Sequence, residues 1–222
     1  MYTPPMFKSD RAASLAFAEA RGFGLACAWD GKKPVASPLP FYLTSANDGT
    51  LRAAFHVARH NPLVKLANGT TSWLLAVNGA DAYVSPDWCV SPDQVPTWLY
   101  QVVHLTGPVR PMSGDELAAQ IETLSAKFEA RLLPKKPWLS SKMTAGRLEA
   151  LKKAIVGLEM TVEEVEGSFK LSQHKSETDY AAIAGSLAAQ ADAGAQRIAH
   201  LMEQARPQAF ANETNQPERT VP

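Results

Sequence analysis

From Phe23 onward the chain alternates short apolar segments with turn residues, and this rhythm restricts the possible fold more than any other feature. FGLACAW (23–29), PVASPLPFYL (34–43), LRAAFHVA (51–58), SWLLAVNG (72–79) and DAYVS (81–85) are parted by turns such as Asp30-Gly31 and Asp48-Gly49. WLYQVVHLTGPVR (98–110) adds one more segment of the same kind. Strands this short and evenly spaced predict an antiparallel barrel rather than alternating strand and helix units.

Helical signals flank the strands. SDRAASLAFAEARG offers Ser9 or Asp10 as a cap, Leu15 and Ala18 on one face, and Gly22 as a stop. After Gly107 the period changes: Ser113 and Glu116 stand in capping-box positions, and Leu117, Ile121, Leu124, Phe128 and Leu132 recur at helical spacing. TAGRLEALKKAI reads as a shorter second helix. LEMTVEEVEGSFKLS then alternates Leu158, Met160 and Val162 like one strand returning to the sheet. DYAAIAGSLAAQADAGAQRIAHLMEQA reads as a single alanine-rich terminal helix with a narrow stripe of Ile183, Leu187, Ile198 and Leu201. The fold class is α+β and mainly β, with one main domain and an appendage expected from 222 residues.

Charge excludes some functions. Lys plus Arg and Asp plus Glu both number 22, so no global field steers the chain toward nucleic acid or membrane. The local exception is PKKPWLSSKMTAGRLEALKK (134–153), with six basic residues against Glu149 alone, which reads as a solvated face or an anionic contact surface. Cys27 and Cys89 are too few for a disulfide scaffold and lack zinc-site spacing, so no metal is expected and a reducing compartment is. MYTPPMFKSD has no signal-peptide core, and no later run approaches the ~20 apolar residues of a membrane span, so a cytoplasmic protein is expected. G-x-G-x-x-G, Walker, H-E-x-x-H and G-x-S-x-G sequences are all missing.

What remains are compact stretches at predicted strand ends and loops: HVARHNP (56–62), YVSPDWC (83–89), VPTW (95–98) and GSFKLSQHK (167–175). Together with the opening MYTPPMF they resemble the PaiB-like family of FMN-binding negative transcriptional regulators, split β-barrels related to pyridoxamine-phosphate oxidases. The resemblance spans roughly residues 1–187, with the motifs in the family's order. It departs from the family at Leu99, His174 and Cys89, where Asn, Asn and an aromatic residue are expected. It implies an antiparallel split β-barrel over 1–187 with peripheral helices and a helical insertion near 113–156. An alanine-rich C-terminal helix at 188–206 and a disordered tail at 207–222 would follow.

The resemblance also implies FMN as cofactor, bound at the interface of a homodimer. FMN carries a phosphate dianion, and Arg59 at the end of a strand could meet it with a two-pronged hydrogen bond. Asn61 would cap a following helix with Pro62 at its first position, and His56 lies on the same strand. Lys170, Ser172 and Gln173 offer charge, hydroxyl and amide, with Lys170 and Ser172 on one side if the strand alternates. Ser37 and Leu39, within SPLPFY, could present backbone groups to a planar ring. Thr97 and Trp98 would enter a strand whose Trp98, Tyr100 and His104 share a face suited to a flavin wall and a dimer contact. Each motif also has a plainer reading as exposed strand end, ordinary cap or core strand. His56 and His104 could serve as haem ligands, but neither is assigned a catalytic role.

Three functions stay open on sequence. One is a flavin-binding PaiB-like regulator. Another is a flavin oxidoreductase or a haem-binding split-barrel enzyme, and the last is a cofactor-free dimeric interaction protein. Direct DNA contact lacks both a helix-turn-helix signature and a net positive charge.

Overall fold

Alternating burial along the strands builds a closed sheet. The computed structural model describes residues 1–46 and 48–210. Its strands are β1 (Lys8–Ser9), β2 (Phe23–Trp29), β3 (Pro34–Ser45), β4 (Leu51–Ala58), β5 (Ser72–Val84), β6 (Thr97–Pro111), β7 (Ile155–Thr161) and β8 (Glu164–Lys170). The helices are α1 (Arg11–Arg21), α2 (Gly114–Ala130), α3 (Arg147–Lys152), α4 (Glu177–Ala188) and α5 (Ala193–Ala205). The strand order is β1-β8-β6-β5-β2-β3-β4-β7, and β6 also pairs with β7. That pairing closes β6-β5-β2-β3-β4-β7 into a ring, the expected barrel, while β8 and β1 continue the sheet beyond β6.

The described residues form two compact units. One comprises Arg11–Val77 and Val103–Glu166; the other comprises Met1–Asp10, Asn78–Val102 and the residues from Gly167 onward. β5, β6 and β8 each run from one unit into the other.

In the first unit β2, β3, β4 and β7 pair antiparallel in sequence, and Val109, Arg110 and Pro111 of β6 face Met160, Glu159 and Leu158 of β7. Phe41, Phe55, Leu75, Leu105 and Leu158 are fully buried inside. β2 inverts the usual sizes: Gly24, Ala26 and Ala28 point inward, while Phe23, Leu25 and Trp29 stay exposed. α2 begins with the predicted capping box, the Ser113 hydroxyl accepting from the Glu116 amide and the Glu116 carboxylate from the Ser113 amide. The same carboxylate takes two bonds from Arg110, at 3.0 and 2.7 Å, and Arg110 also reaches Glu159 at 2.7 Å. Leu124 and Phe128 pack α2 against Tyr42 and Ala54.

The second unit is a helical pair on strand residues. Tyr180, Ile183 and Leu187 of α4 and Ile198 and Met202 of α5 bury against Ala82, Val84 and Leu99. The Tyr180 hydroxyl donates to the Met202 carbonyl at 2.9 Å, and burial pushes its pKa up to about 12. The single terminal helix expected from sequence is two helices. Asp192 caps α5 by accepting from the Ala195 amide at 2.8 Å, and the break lets the stripe on α4 bury against that on α5. Two further corrections concern strands. The segments 72–79 and 81–85 are one strand, and the returning strand is two, parted after Thr161 where the Val162 amide bonds Leu51 and the Glu163 amide bonds Thr106. Of the expected disordered tail, Pro207–Phe210 form a 3-10 turn whose Phe210 ring meets Tyr180 edge-on at 6.2 Å, and residues 211–222 lie outside the described residues. Cys27 and Cys89 are free thiols, both pushed up in pKa by burial. No helix among the described residues is long and apolar enough to cross a membrane.

Two stability predictions come from this packing. A Cβ on Gly107 would stand 1.8 Å from the Thr161 carbonyl oxygen, a backbone atom that cannot step aside, whereas one on Gly114 would meet nothing within 4 Å. Gly107→Ala is expected to lose about 3 kcal/mol or more in urea unfolding and Gly114→Ala less than about 1 kcal/mol. Equal losses would refute close approach as the reason for glycine at 107.

The second concerns Asp179, whose carboxylate accepts from the Ser91 amide at 3.0 Å and the Val90 amide at 2.7 Å. The Ser91 bond chiefly, with that from Val90, holds its pKa at about 2, below the ordinary carboxylate value. A depressed folded pKa adds stability above about pH 4 that disappears as pH falls through about 2. Asp179→Asn should therefore lower the urea midpoint at pH 7, with the deficit shrinking between pH 4 and pH 2. A deficit constant across that range would rule out the ionised carboxylate as its source.

Candidate functional site

The ten candidate residues fall five to each unit. In the barrel unit, Ser37 on β3 accepts from the Asn61 side-chain amide at 2.9 Å, and Asn61 in turn accepts from the Leu63 amide at 3.0 Å. Asn61 is thus the expected cap with Pro62 following it, but the helix it starts is a five-residue 3-10 turn, Pro62–Leu66. Leu39 is only 2% exposed, so its side chain belongs to the core and only its backbone could serve a ligand. The His56 imidazole Nδ1 lies 3.1 Å from the Gln120 side-chain oxygen. His56 also borders an apolar hollow of about 270 Å³ with Ile121, Leu148 and Lys152.

Arg59 sits just past the end of β4 and is exposed, but its guanidinium is already engaged. Nε donates to the Lys153 carbonyl at 2.5 Å and Nη2 to the Ile155 carbonyl at 3.0 Å, tying the end of β4 to the start of β7. A guanidinium has five N–H donors, so three remain for an anion.

In the second unit Lys170 Nζ donates to Thr97 Oγ1 at 2.6 Å and stands 5.8 Å from the Phe7 ring centroid. This cation and hydroxyl are already side by side. Trp98 is 55% exposed and meets Tyr83 edge-on, ring centroids 6.0 Å apart at 68°. Tyr100 and His104 alternate with the buried Leu99, Val103 and Leu105, as period-2 spacing predicts, and burial lowers the His104 pKa.

The K-L-S-Q stretch behaves differently from the expected alternating strand. β8 ends at Lys170, and Ser172 takes a left-handed φ of 60° and is 1% exposed. Gln173 folds back to donate to the Phe169 carbonyl and accept from the Leu171 amide at 2.8 Å, so the segment makes a closed turn. Lys170 and Ser172 therefore do not present a common strand face. The family departures have local explanations: Leu99 and Cys89 pack with the α4–α5 core, and His174 meets the Phe7 ring edge-on at 5.6 Å.

Tyr83 and Trp88, quoted within YVSPDWC but given no role on sequence, and Asp81 and Asp192, which sequence did not single out, line a cleft of about 560 Å³ with Trp98. Strand alternation could have found Tyr83, but only the fold returns the start of α5 to β5. Among the described residues no three His, Cys, Asp or Glu side chains are grouped to hold a metal.

The donors suit FMN. A phosphate dianion calls for cations and hydroxyl or amide donors, and each unit taken by itself has such groups: Lys170 with Thr97 in one, Arg59 with Ser37 and Asn61 in the other. An isoalloxazine calls for broad apolar surface, which exposed Trp98 offers.

Residues 1–164 match the family model described as "Putative FMN-binding domain", a span that ends before Lys170. Protease synthase and sporulation protein PAI 2 of Bacillus subtilis is 32% identical over 204 residues, covering 91% of this chain and 97% of that protein. An uncharacterised protein of Emericella nidulans is 30% identical over 179 residues, covering 64% of this chain and 70% of that one. Among solved structures, an FAD- and haem-binding protein from Mycobacterium smegmatis shares the fold at a TM-score of 0.53 and 14% identity, with 79% of each chain covered. Ring closure through β6 and β7 and the match over residues 1–164 lead to one family: the chain is a member of the PaiB-like, flavin-binding split-barrel family.

Proposed function

We propose that this protein binds FMN as a homodimer and works as a PaiB-like cytoplasmic regulator. The observation that carries the reading is the FMN-binding family match across residues 1–164, to which the donor set adds its chemistry. In the second unit Lys170 with Thr97 offers a cation and a hydroxyl to a phosphate, and in the barrel unit the free donors of Arg59 offer the same chemistry. Ser37, Asn61, the Leu39 backbone and His56 are the further ligand candidates of the barrel unit, and Trp98, Ser172 and Gln173 those of the second unit. When bound, FMN supplies redox-active ring chemistry; the residues named here bind and orient it. The regulatory role comes from the PaiB resemblance. The basic segment 134–153, with Lys135, Lys136, Arg147 and Lys153 exposed, is the surface available to an anionic partner, although zero net charge gives DNA no general attraction.

The dimer has a ready surface on β2. Phe23, Leu25 and Trp29 are 46%, 38% and 57% exposed, and their cross-strand neighbours on β3 are Pro40, Pro38 and Pro34. Burying a large apolar side chain contributes about 1.5–3 kcal/mol, so such a face favours association. Light scattering at micromolar concentration should return twice the 24.0 kDa chain mass. Leu25→Glu should shift the protein toward monomer, and a monomeric wild type would remove the shared-site reading.

Fluorescence titration tests the ligand. Lys170→Met and Arg59→Ala should each weaken FMN binding by about ten- to a hundredfold, the equivalent of about 1.5–3 kcal/mol for a charge-assisted bond. Riboflavin lacks the phosphate and should bind both variants nearly as it binds the wild type. Equal losses for both flavins with Arg59→Ala would identify Arg59 as only the latch between β4 and β7. An intense Soret band in the purified protein would replace FMN with haem, and the absence of both chromophores and of FMN binding would favour the cofactor-free reading.

A further inference from the structure

We infer that the cleft between the end of β5 and the start of α5 is a binding site for an organic cation, an ammonium carrying an apolar body. The cleft shares Trp98 with the flavin proposal but none of its phosphate donors, and its preference for charge can be read with no flavin present. The cleft holds about 560 Å³, within the roughly 300–1,000 Å³ of small-molecule sites, and the residues lining it belong to one compact unit.

Its walls are aromatic. Tyr83 and Trp98 are 45% and 55% exposed where they meet edge-on, and Trp88 borders the same space while packing against the α4–α5 core. Tyr83 and Trp98 thus gather exposed ring surface at a concave corner, the form that small-molecule sites take. A ring face carries negative potential, so aromatic walls attract cations, more strongly as the site loses water.

The charged residues agree in sign. Asp81 and Asp192 line the cleft, and among the described residues no Lys, Arg or His does. The Asp81 carboxylate has no hydrogen-bond or ion-pair partner among the described residues. Gly194 brings the two acidic residues together: a Cβ there would lie 2.8 Å from the Asp81 backbone oxygen and 2.9 Å from Asp192 Oδ1, so only glycine lets α5 start this close to β5. The α5 N-terminus by itself would favour an anion, with an effective charge of about +0.5. Two full negative charges outweigh it, and Asp192 already caps the Ala195 amide. Gln190 at the margin is neutral.

The test uses isothermal titration of the full chain with three probes of similar body and different charge: benzyltrimethylammonium, benzyl alcohol and benzoate. The cation should bind with Kd below about 1 mM and at least tenfold more tightly than the alcohol, with no detectable benzoate binding. Trp98→Ala should weaken the cation at least tenfold. Asp81→Asn should weaken it about three- to tenfold, and so should Asp192→Ser, which retains a capping hydroxyl, while both leave alcohol binding unchanged. The two Asp variants should also leave FMN affinity at the wild-type value, which separates this site from the flavin reading. No cation binding by the wild type, equal binding of cation and alcohol, or full cation affinity in Asp81→Asn and Asp192→Ser together would each overturn the proposal.

Discussion

Closure of the barrel depends on one tight passage between β6 and β7. Gly107 is buried on β6, and the Thr161 carbonyl occupies the space where any side chain would begin. Next to it the Glu163 amide donates to Thr106, and beyond it Val109 to Pro111 pair with Met160 to Leu158. Without this approach β7 would pair only with β4, the ring would stay open, and Val109 to Pro111 of β6 would lose their β7 partners. Closure also fixes where α2 starts. Arg110, one residue into the β6–β7 pairing, holds both Glu116 of the capping box and Glu159 of β7.

Local rules made most of the strands legible. Asp30-Gly31 and Asp48-Gly49 mark turns because few other residues take the backbone angles required, and Gly31 and Gly49 do adopt φ of 93° and 81°. Period-2 spacing placed Trp98, Tyr100 and His104 on one face, and along β6 Trp98 is exposed and Tyr100 and His104 are half-buried, while Leu99, Val103 and Leu105 are buried. Illegible were the features set by long-range contacts. Nothing near Asp192 distinguishes a helix cap from an exposed acid on a continuous helix until α5 has α4 to pack against. The division between β7 and β8 depends on Leu51 and Thr106, more than 50 residues earlier in the chain, accepting the amides of Val162 and Glu163. Alternation likewise misplaced Ser172, because Gln173 bonds back on its own backbone and converts the strand end into a left-handed turn.

The candidate site shows the same limit. Residue chemistry selected Arg59, Lys170 and Asn61 as groups able to meet an anion, since those capacities belong to side chains. Sequence could not show how those groups are already occupied. Arg59 serves two backbone carbonyls, Asn61 bridges Ser37 and Leu63, and Lys170 bonds Thr97. A donor held this way loses less conformational freedom on meeting a ligand than a free surface lysine or arginine. Prior engagement therefore favours binding as long as donors are left over, which the guanidinium and ammonium groups have and the Gln173 amide largely lacks.

The same reasoning separates the two acidic residues of the α5 cleft from Asp179, a few turns of chain away. Asp179 is buried and receives two backbone amides, so its charge is satisfied internally and works for stability. Asp81 is exposed with no such partner, and Asp192 is exposed and gives one oxygen to its helix. A carboxylate surrounded by amides has little potential left to offer a ligand, whereas one beside aromatic faces and without a cation projects its field into the adjoining space. Burial and hydrogen bonding thus divide identical side chains into structural and ligand-facing roles, a division that residue identity and spacing do not encode.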